Sequence, residues 1–373
     1  MKRTSIKHLR SPNSLKELEL EEFDARGEDV LKGVLWEPKT ENWFPILDGL
    51  PVFPSKALQI DLRDFAAAHD LPLTEELPQD DRGQSITSKT FSDKWQRFKN
   101  YGMEKQHQEF LLDWYRKKFG LPTLEALDGF YASKSRILEV GPGSGFHTRL
   151  MAEKSGAEVV AVDISEGART SYENSRGLDT VTVVQADLFE APVPDDYFDF
   201  IVADGVLHHT PDTFGGVKAL YRKLAPGGQF FFYVYRKMGP VRQFVDETLR
   251  ETFTKMGPEE CYEACEEITE IGRQLSKLDA KIVLEKGVPA LGLPEGEHNL
   301  QRFFYYGFMK CFWNDAFDFE TNNMVNFDWY HPHHAWQHTD DEVVGWLTKL
   351  GVDSYKMNDA NPNGISVLLT KPA

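Results

Sequence analysis

Apolar positions along this chain follow two rhythms. Five short, nearly unbroken apolar runs, rich in β-branched and aromatic residues, lie at 137–140, 157–162, 181–185, 198–203 and 229–235. Runs of this length predict strands buried on both faces. Between them the spacing turns helical, from Phe146 onward and again over Phe214–Leu224. Strands alternating with helices in this way predict an α/β fold with a doubly wound, largely parallel sheet. A helix is expected over Thr339–Leu350, with Thr339 and Glu342 as its capping box and Gly351 as its stop. Asp353–Met357 and Gly364–Thr370 complete a seven-stranded sheet.

The first run breaks into glycines. Residues 137–145 read Ile-Leu-Glu-Val-Gly-Pro-Gly-Ser-Gly, with Gly141, Gly143 and Gly145 alternating ahead of the helix. Glycine permits positive φ and close approach of a ligand to the backbone. The helix start adds free N–H groups and a positive dipole end. A dinucleotide fingerprint would place its third glycine where Phe146 stands, and the Gly-Lys-Ser/Thr of a phosphate-binding loop is absent. Glu139, two residues before Gly141, repels a pyrophosphate and suits a cationic ligand.

Acids recur at the later strand ends: Asp163, twenty residues after Gly143, then Asp187 and Asp204. Ligands of doubly wound sheets bind beyond these ends. The segments LEVGPGSG, VVAVDIS, VVQADLFEAP, FDFIVADGVLHHTPD and LAPGGQFFFYVY, in this order, resemble a class I S-adenosylmethionine-dependent methyltransferase of the type 11, UbiE-like kind. The resemblance covers residues 135–235 and implies a Rossmann-like sheet with S-adenosyl-L-methionine as cofactor. Carried over by position, Gly141, Gly143 and Gly145 approach the methionine part, and Glu139 lies near its ammonium. Asp163 takes the ribose hydroxyls, with Ile164 against the adenine. Asp187 accepts from the adenine amino group, Leu188 donates through its backbone, and Asp204 and Gly205 line the methionine side.

Two additions flank this core. Gly33–Phe53 carries an Asp48-Gly49 hairpin signal and ends Phe-Pro-Ile-Leu-Asp-Gly-Leu-Pro. It resembles a zinc-ribbon-like module of some methyltransferases, but Trp36-Glu-Pro-Lys39 stands where paired cysteines belong, so no structural zinc is expected. The expected organisation is a small module over 1–70, a linker over 71–90, and a methyltransferase domain over 91–235 and 339–373. Capping helices occupy 91–130, where Trp95 or Tyr101 could cover a sulfonium. Residues 236–338 form an insertion after the fifth strand, at the place of a substrate lid. Arg302–Trp336 holds thirteen aromatic residues, over a quarter of the chain's total in under a tenth of its length. They suggest a pocket for a small organic acceptor.

Methyl transfer to a hydroxyl, an acidic carbon or a protonated amine needs a base. His208 and His209 are the first candidates by position, followed by Tyr235, Asp328, Tyr330 and His334. His331, His333, His334 and His338 cluster, yet Pro332 interrupts them, and no metal site is assigned.

Composition narrows the partners. A net charge of −17 disfavours nucleic acid, whose binders present a basic face. No apolar run reaches membrane-spanning length, and the basic start lacks the apolar core of a signal peptide, so a cytoplasmic enzyme is expected. Three cysteines make no disulfide framework. A small-molecule methyltransferase is the leading reading. A nucleic-acid or protein methyltransferase docking through the N-terminal module, and a non-catalytic cofactor-binding regulator, are the alternatives. Oligomeric state is not encoded in these patterns.

Overall fold

The computed structural model describes residues 1–72, 82–358 and 362–373. Four antiparallel strands come first: β1 (Glu19–Arg26), β2 (Asp29–Trp36), β3 (Trp43–Leu47) and β4 (Leu50–Pro51). Asp48 and Gly49, at φ 48° and 83°, make the tight turn between the last two. The chain then reaches the edge of a larger sheet, where Phe53 N–H donates to the Gln185 carbonyl at 2.9 Å. A short helix α1 (Arg63–Ala68) follows.

Helices α2 (Arg82–Arg97), α3 (Lys105–Lys118) and α4 (Leu124–Ala132) lead into the large sheet. Part of the expected linker, residues 73–81, lies outside the described residues. From Arg82 onward the linker expectation is corrected: α2 begins there, because Thr87, Thr90 and Lys94 form a buried face despite their polarity.

The large sheet is built from β5 (Arg136–Val140), α5 (Phe146–Ser155), β6 (Glu158–Asp163), α6 (Gly167–Asn174), β7 (Val181–Gln185), β8 (Phe198–Asp204), α7 (Thr213–Lys223) and β9 (Leu224–Arg236). The strand β9 starts earlier than the apolar run, and the Pro226-Gly227-Gly228 turn is an irregularity in its register with β8.

The insertion contains α8 (Pro240–Phe253), α9 (Pro258–Lys277), a hairpin of β10 (Lys281–Leu284) and β11 (Gly296–Asn299), then α10 (Leu300–Gly307) and α11 (Phe319–Tyr330). The chain returns through β12 (Gln337–His338), α12 (Asp340–Lys349), β13 (Ser354–Asn358) and β14 (Gly364–Thr370). The capping box of Thr339 and Glu342 is present at the start of α12.

Strand order is β13-β14-β9-β8-β5-β6-β7, with β14 antiparallel to β9 and β13 antiparallel to β14. Among the described residues the sheet has eight strands rather than seven, since Gln337 and His338 pair parallel to the end of β9. Alternate residues enter opposite cores: Phe230, Phe232 and Val234 one, Phe231 and Tyr233 the other. Both faces of β9 are therefore dry, as the unbroken run Gln229–Tyr235 requires.

Candidate active site

The carboxyl ends of β5, β6, β7, β8 and β9 open into one cavity of about 620 Å³. Gly141, Asp163, Ile164, Asp187, Leu188, Asp204, Gly205, His209, Tyr235 and Asp328 all reach its wall. Glu139, Gly143, Gly145, His208 and His334 do not.

The glycine turn is left-handed at all three glycines, with φ of 68°, 57° and 81°. A Cβ on Gly141 would meet Val206 at 2.3 Å, and one on Gly143 would meet the Trp95 indole at 2.5 Å. The turn is thus needed for close approach of α2 as well as of a ligand. Glu139 is turned behind it, accepting a hydrogen bond from Thr148 Oγ1 and lying 3.2 Å from His147 Nδ1.

Asp163 and Asp187 stand at the ends of β6 and β7. Asp163 Oδ1 accepts from Ser165 N–H at 2.8 Å and from its hydroxyl at 2.7 Å. Asp187 Oδ1 accepts from Phe189 N–H at 3.0 Å. Among the described residues neither forms an ion pair. Burial pushes both carboxyls up to about 6. Desolvated acids of this kind suit a ligand that brings hydroxyl and amino donors, as the nucleoside of S-adenosylmethionine does.

Asp204 is different, because it accepts from Lys118 Nζ at 2.5 Å. Lys118 comes from the last turn of α3, its side chain is 5% exposed, and its ammonium lies 4.0 Å from the Tyr233 ring centre. Burial lowers its pKa. At the other end of the cavity Lys94 Nζ donates to Asp328 Oδ2 at 2.6 Å. The sequence reading missed both lysines. Their signal was a charge in register with an aromatic stripe: Lys94 follows Phe91 by three residues, and Lys118 follows Trp114 by four.

The candidate bases fare unevenly. His208 is fully buried, and its ring stacks on Tyr235 with the ring centres 3.7 Å apart. Burial holds it well below the usual histidine range. His209 Nδ1 donates to the His334 carbonyl at 2.7 Å, which leaves Nε2 as the acceptor of a neutral ring. Burial drives this imidazole down to about 3, so it is a weak base at neutral pH. Tyr235 is held protonated by burial and by the nearby Asp328. Tyr330 donates to the Lys310 carbonyl within the insertion.

The aromatic residues of the insertion do not line the cavity. Tyr305, Phe327, Trp329 and Tyr330 fill the insertion's own core with Cys261 and Cys265. Phe91, Trp95, Trp114, Tyr233 and Tyr235, from α2, α3 and β9, form the aromatic wall instead. The insertion reaches the cavity through Asp328. Its histidines tie it to neighbouring elements: His331 bonds Thr90 Oγ1 at 2.6 Å, and His338 bonds Thr213 Oγ1 at 3.1 Å. Among the described residues no group of three His, Cys, Asp or Glu is placed to hold a metal ion. No helix among them is long and apolar enough to cross a membrane.

Residues 138–232 match the family model described as a methyltransferase domain. That segment, about a quarter of the chain, is of the S-adenosylmethionine-dependent kind, and S-adenosyl-L-methionine is its cofactor. Among curated proteins, the chain is 34% identical over 107 residues to 2-methyl-6-phytyl-1,4-hydroquinone methyltransferase 2 of Oryza sativa subsp. japonica, covering 28% of this chain and 30% of that one. It is 30% identical over 132 residues to the ubiquinone/menaquinone biosynthesis C-methyltransferase UbiE of Vibrio vulnificus, covering 33% of this chain and 50% of that one. The chain thus spans between about a quarter and a half of the length of the curated relatives it matches first. Among solved structures it is similar to the N-methyltransferase NodS of Bradyrhizobium japonicum, at 12% identity and a TM-score of 0.39 over 77% of this chain and 100% of that one.

Proposed function

We propose that this chain is a methyltransferase that moves a methyl group from S-adenosyl-L-methionine to a small organic acceptor. The observation that carries the reading is convergence. Asp163, Ile164, Asp187, Leu188, Asp204 and Gly205, spread over three strand ends, share one cavity with Tyr235 and Asp328. Bound S-adenosylmethionine supplies an already activated methyl on a sulfonium.

The chain's own residues do the rest. Asp163 accepts from the ribose hydroxyls, and Ile164 and Leu188 flank the adenine. Asp187 accepts from its amino group, while Asp204 and Gly205 border the methionine. Glu139 stiffens the glycine turn from behind through Thr148. Helix α2 lays Trp95 across Gly143 and excludes water, so alignment of the acceptor supplies most of the catalysis. His209, with Nε2 bare, positions the acceptor rather than deprotonating it, and His208 supports Tyr235 by stacking. In this reading residues 236–338 cover the acceptor end and residues 1–70 brace the β7 edge.

The test is calorimetric titration of the full chain with S-adenosylhomocysteine. Binding that weakens more than about tenfold in Asp163→Ala supports the reading. No binding by the wild-type protein, or equal binding by the variant, removes it.

A further inference from the structure

Charged groups are paired unevenly around the cavity. At the strand ends Asp163 and Asp187 are carboxylates with no cation paired to them among the described residues. At the insertion end cations are in excess. Lys94, whose side chain is 9% exposed, meets Asp328 at 2.6 Å. Lys310, itself buried, is drawn electrostatically to that same carboxylate and lies 4.5 Å from the Trp329 ring centre. Burial brings Lys310 down to about 8, so it remains a cation at neutral pH.

Behind Trp329 stands Arg242, wholly buried, with Nε 3.1 Å from Asp246 Oδ2. Its Nη2 has no hydrogen-bond partner. Asp246 is already shared among Trp329 Nε1, the Tyr330 hydroxyl and Lys310 N–H. Arg250 closes the group, its guanidinium spanning the carbonyls of Trp329, Pro332 and His333. Four cations thus face two carboxylates, Asp246 and Asp328. His209 and Tyr235, the titratable groups between them and the cavity, are neutral. Of these groups only Lys94 and Asp328 line the cavity; Lys310, Arg242 and Arg250 stand behind them, and their excess charge, held away from water, makes the Lys94 side favourable to an anion. It occurs in a chain of net charge −17, which general composition does not explain.

We propose that the methyl acceptor is an organic anion with a flat conjugated body, its carboxylate or comparably acidic group held at Lys94 and its rings between Phe91 and Tyr235. The inference rests on the methyltransferase reading above and deepens it. Lys94 releases Asp328 in part to the ligand, and the excess charge of Lys310 and the two arginines holds the site positive while it does so.

The test uses the full chain saturated with S-adenosylhomocysteine, titrated by calorimetry and tryptophan fluorescence with matched probes. These are 4-hydroxybenzoate, 4-hydroxybenzamide and 4-hydroxybenzylamine, and the cinnamate and 2-naphthoate acid, amide and amine sets. The acid of at least one set is expected to bind about tenfold tighter than its amide, with the amine weakest. Lys94→Met is expected to erase that preference, Lys94→Arg to keep it, and Asp328→Asn to increase it. Should Lys94→Met not fold, the Asp328→Asn arm decides alone. Amines that bind tighter than acids, acids no tighter than amides in every set, a preference that survives Lys94→Met, or a preference that falls in Asp328→Asn each overturn the proposal. Failure of S-adenosylhomocysteine to bind the wild-type chain, measured first, counts against the methyltransferase reading instead.

Discussion

The two ends of the cavity that the proposed function assigns to donor and acceptor are built on different principles. The donor end uses loops that directly follow consecutive strands of one sheet. Its two buried acids stand without cations, and burial holds both near 6. The acceptor end joins α2, the loop after β8, the end of β9 and the insertion, and it is fastened by ion pairs. Lys94 and Asp328 are 234 residues apart in sequence. A site assembled from one sheet can leave charges unpaired for a ligand, because the sheet itself fixes their positions. A site assembled from separate segments needs charged pairs to hold the segments together, and a ligand must compete with them.

The largest expected effect breaks the ion pair of Lys118 with Asp204. Lys118→Met leaves Asp204 buried without its cation, and urea denaturation should show a loss of about 3 kcal/mol. Lys118→Met with Asp204→Asn should recover most of it; additive losses would mean that the pair is not the reason. Next is Gly143→Val, which places a branched side chain at positive φ against Trp95. A loss of about 2 kcal/mol, together with loss of S-adenosylhomocysteine binding, is expected. Unchanged stability would show that α2 does not rest on the turn.

A smaller effect has the opposite sign for stability and for binding. The folded pKa of Asp163 is raised from 3.8 to about 6. A carboxyl raised in this way favours folding at low pH, and that contribution is lost as pH rises through about 6. Asp163→Asn should therefore melt higher than wild type above pH 6, with the advantage gone below pH 4, while its cofactor affinity falls. A melting series from pH 4 to 8 checks this, and a lower melting point at pH 7.5 would contradict it. The smallest effect is on wild-type affinity itself. Ligand donors favour ionised Asp163 and Asp187, so S-adenosylhomocysteine binding should strengthen from pH 5 to about 7 and then level off. Calorimetry in four buffers reads the slope, and affinity that rises on acidification would reverse the assignment of these acids.

Much of the donor end was legible in the sequence. The run Val181–Gln185, the glycine turn, the acids at strand ends and the Thr339 capping box are each set within a few residues, and local patterning reports them directly. The seven strands of the main path follow for the same reason. The eighth, Gln337–His338, is two residues long and depends on where the insertion returns, so no periodicity announces it. The helical start at Arg82 was hidden because its buried face is made of threonines and a lysine, which read as linker. The thirteen aromatic residues of 302–336 were visible, but their destination was not.

The sequence by itself determined the alternation of strand and helix, the glycine turn and the acids beyond it. These depend on backbone geometry and burial over short stretches, where period and residue type carry the information. Only the tertiary structure decided that Lys118 meets Asp204, that Lys94 meets Asp328, and that Tyr305, Phe327, Trp329 and Tyr330 enter the insertion's own core while aromatics of α2, α3 and β9 line the cavity. Periodicity states that a face is buried; it does not state what that face is buried against. Partners far apart in the chain become neighbours through the packing of whole elements, and their charges acquire meaning only after water has been removed from between them.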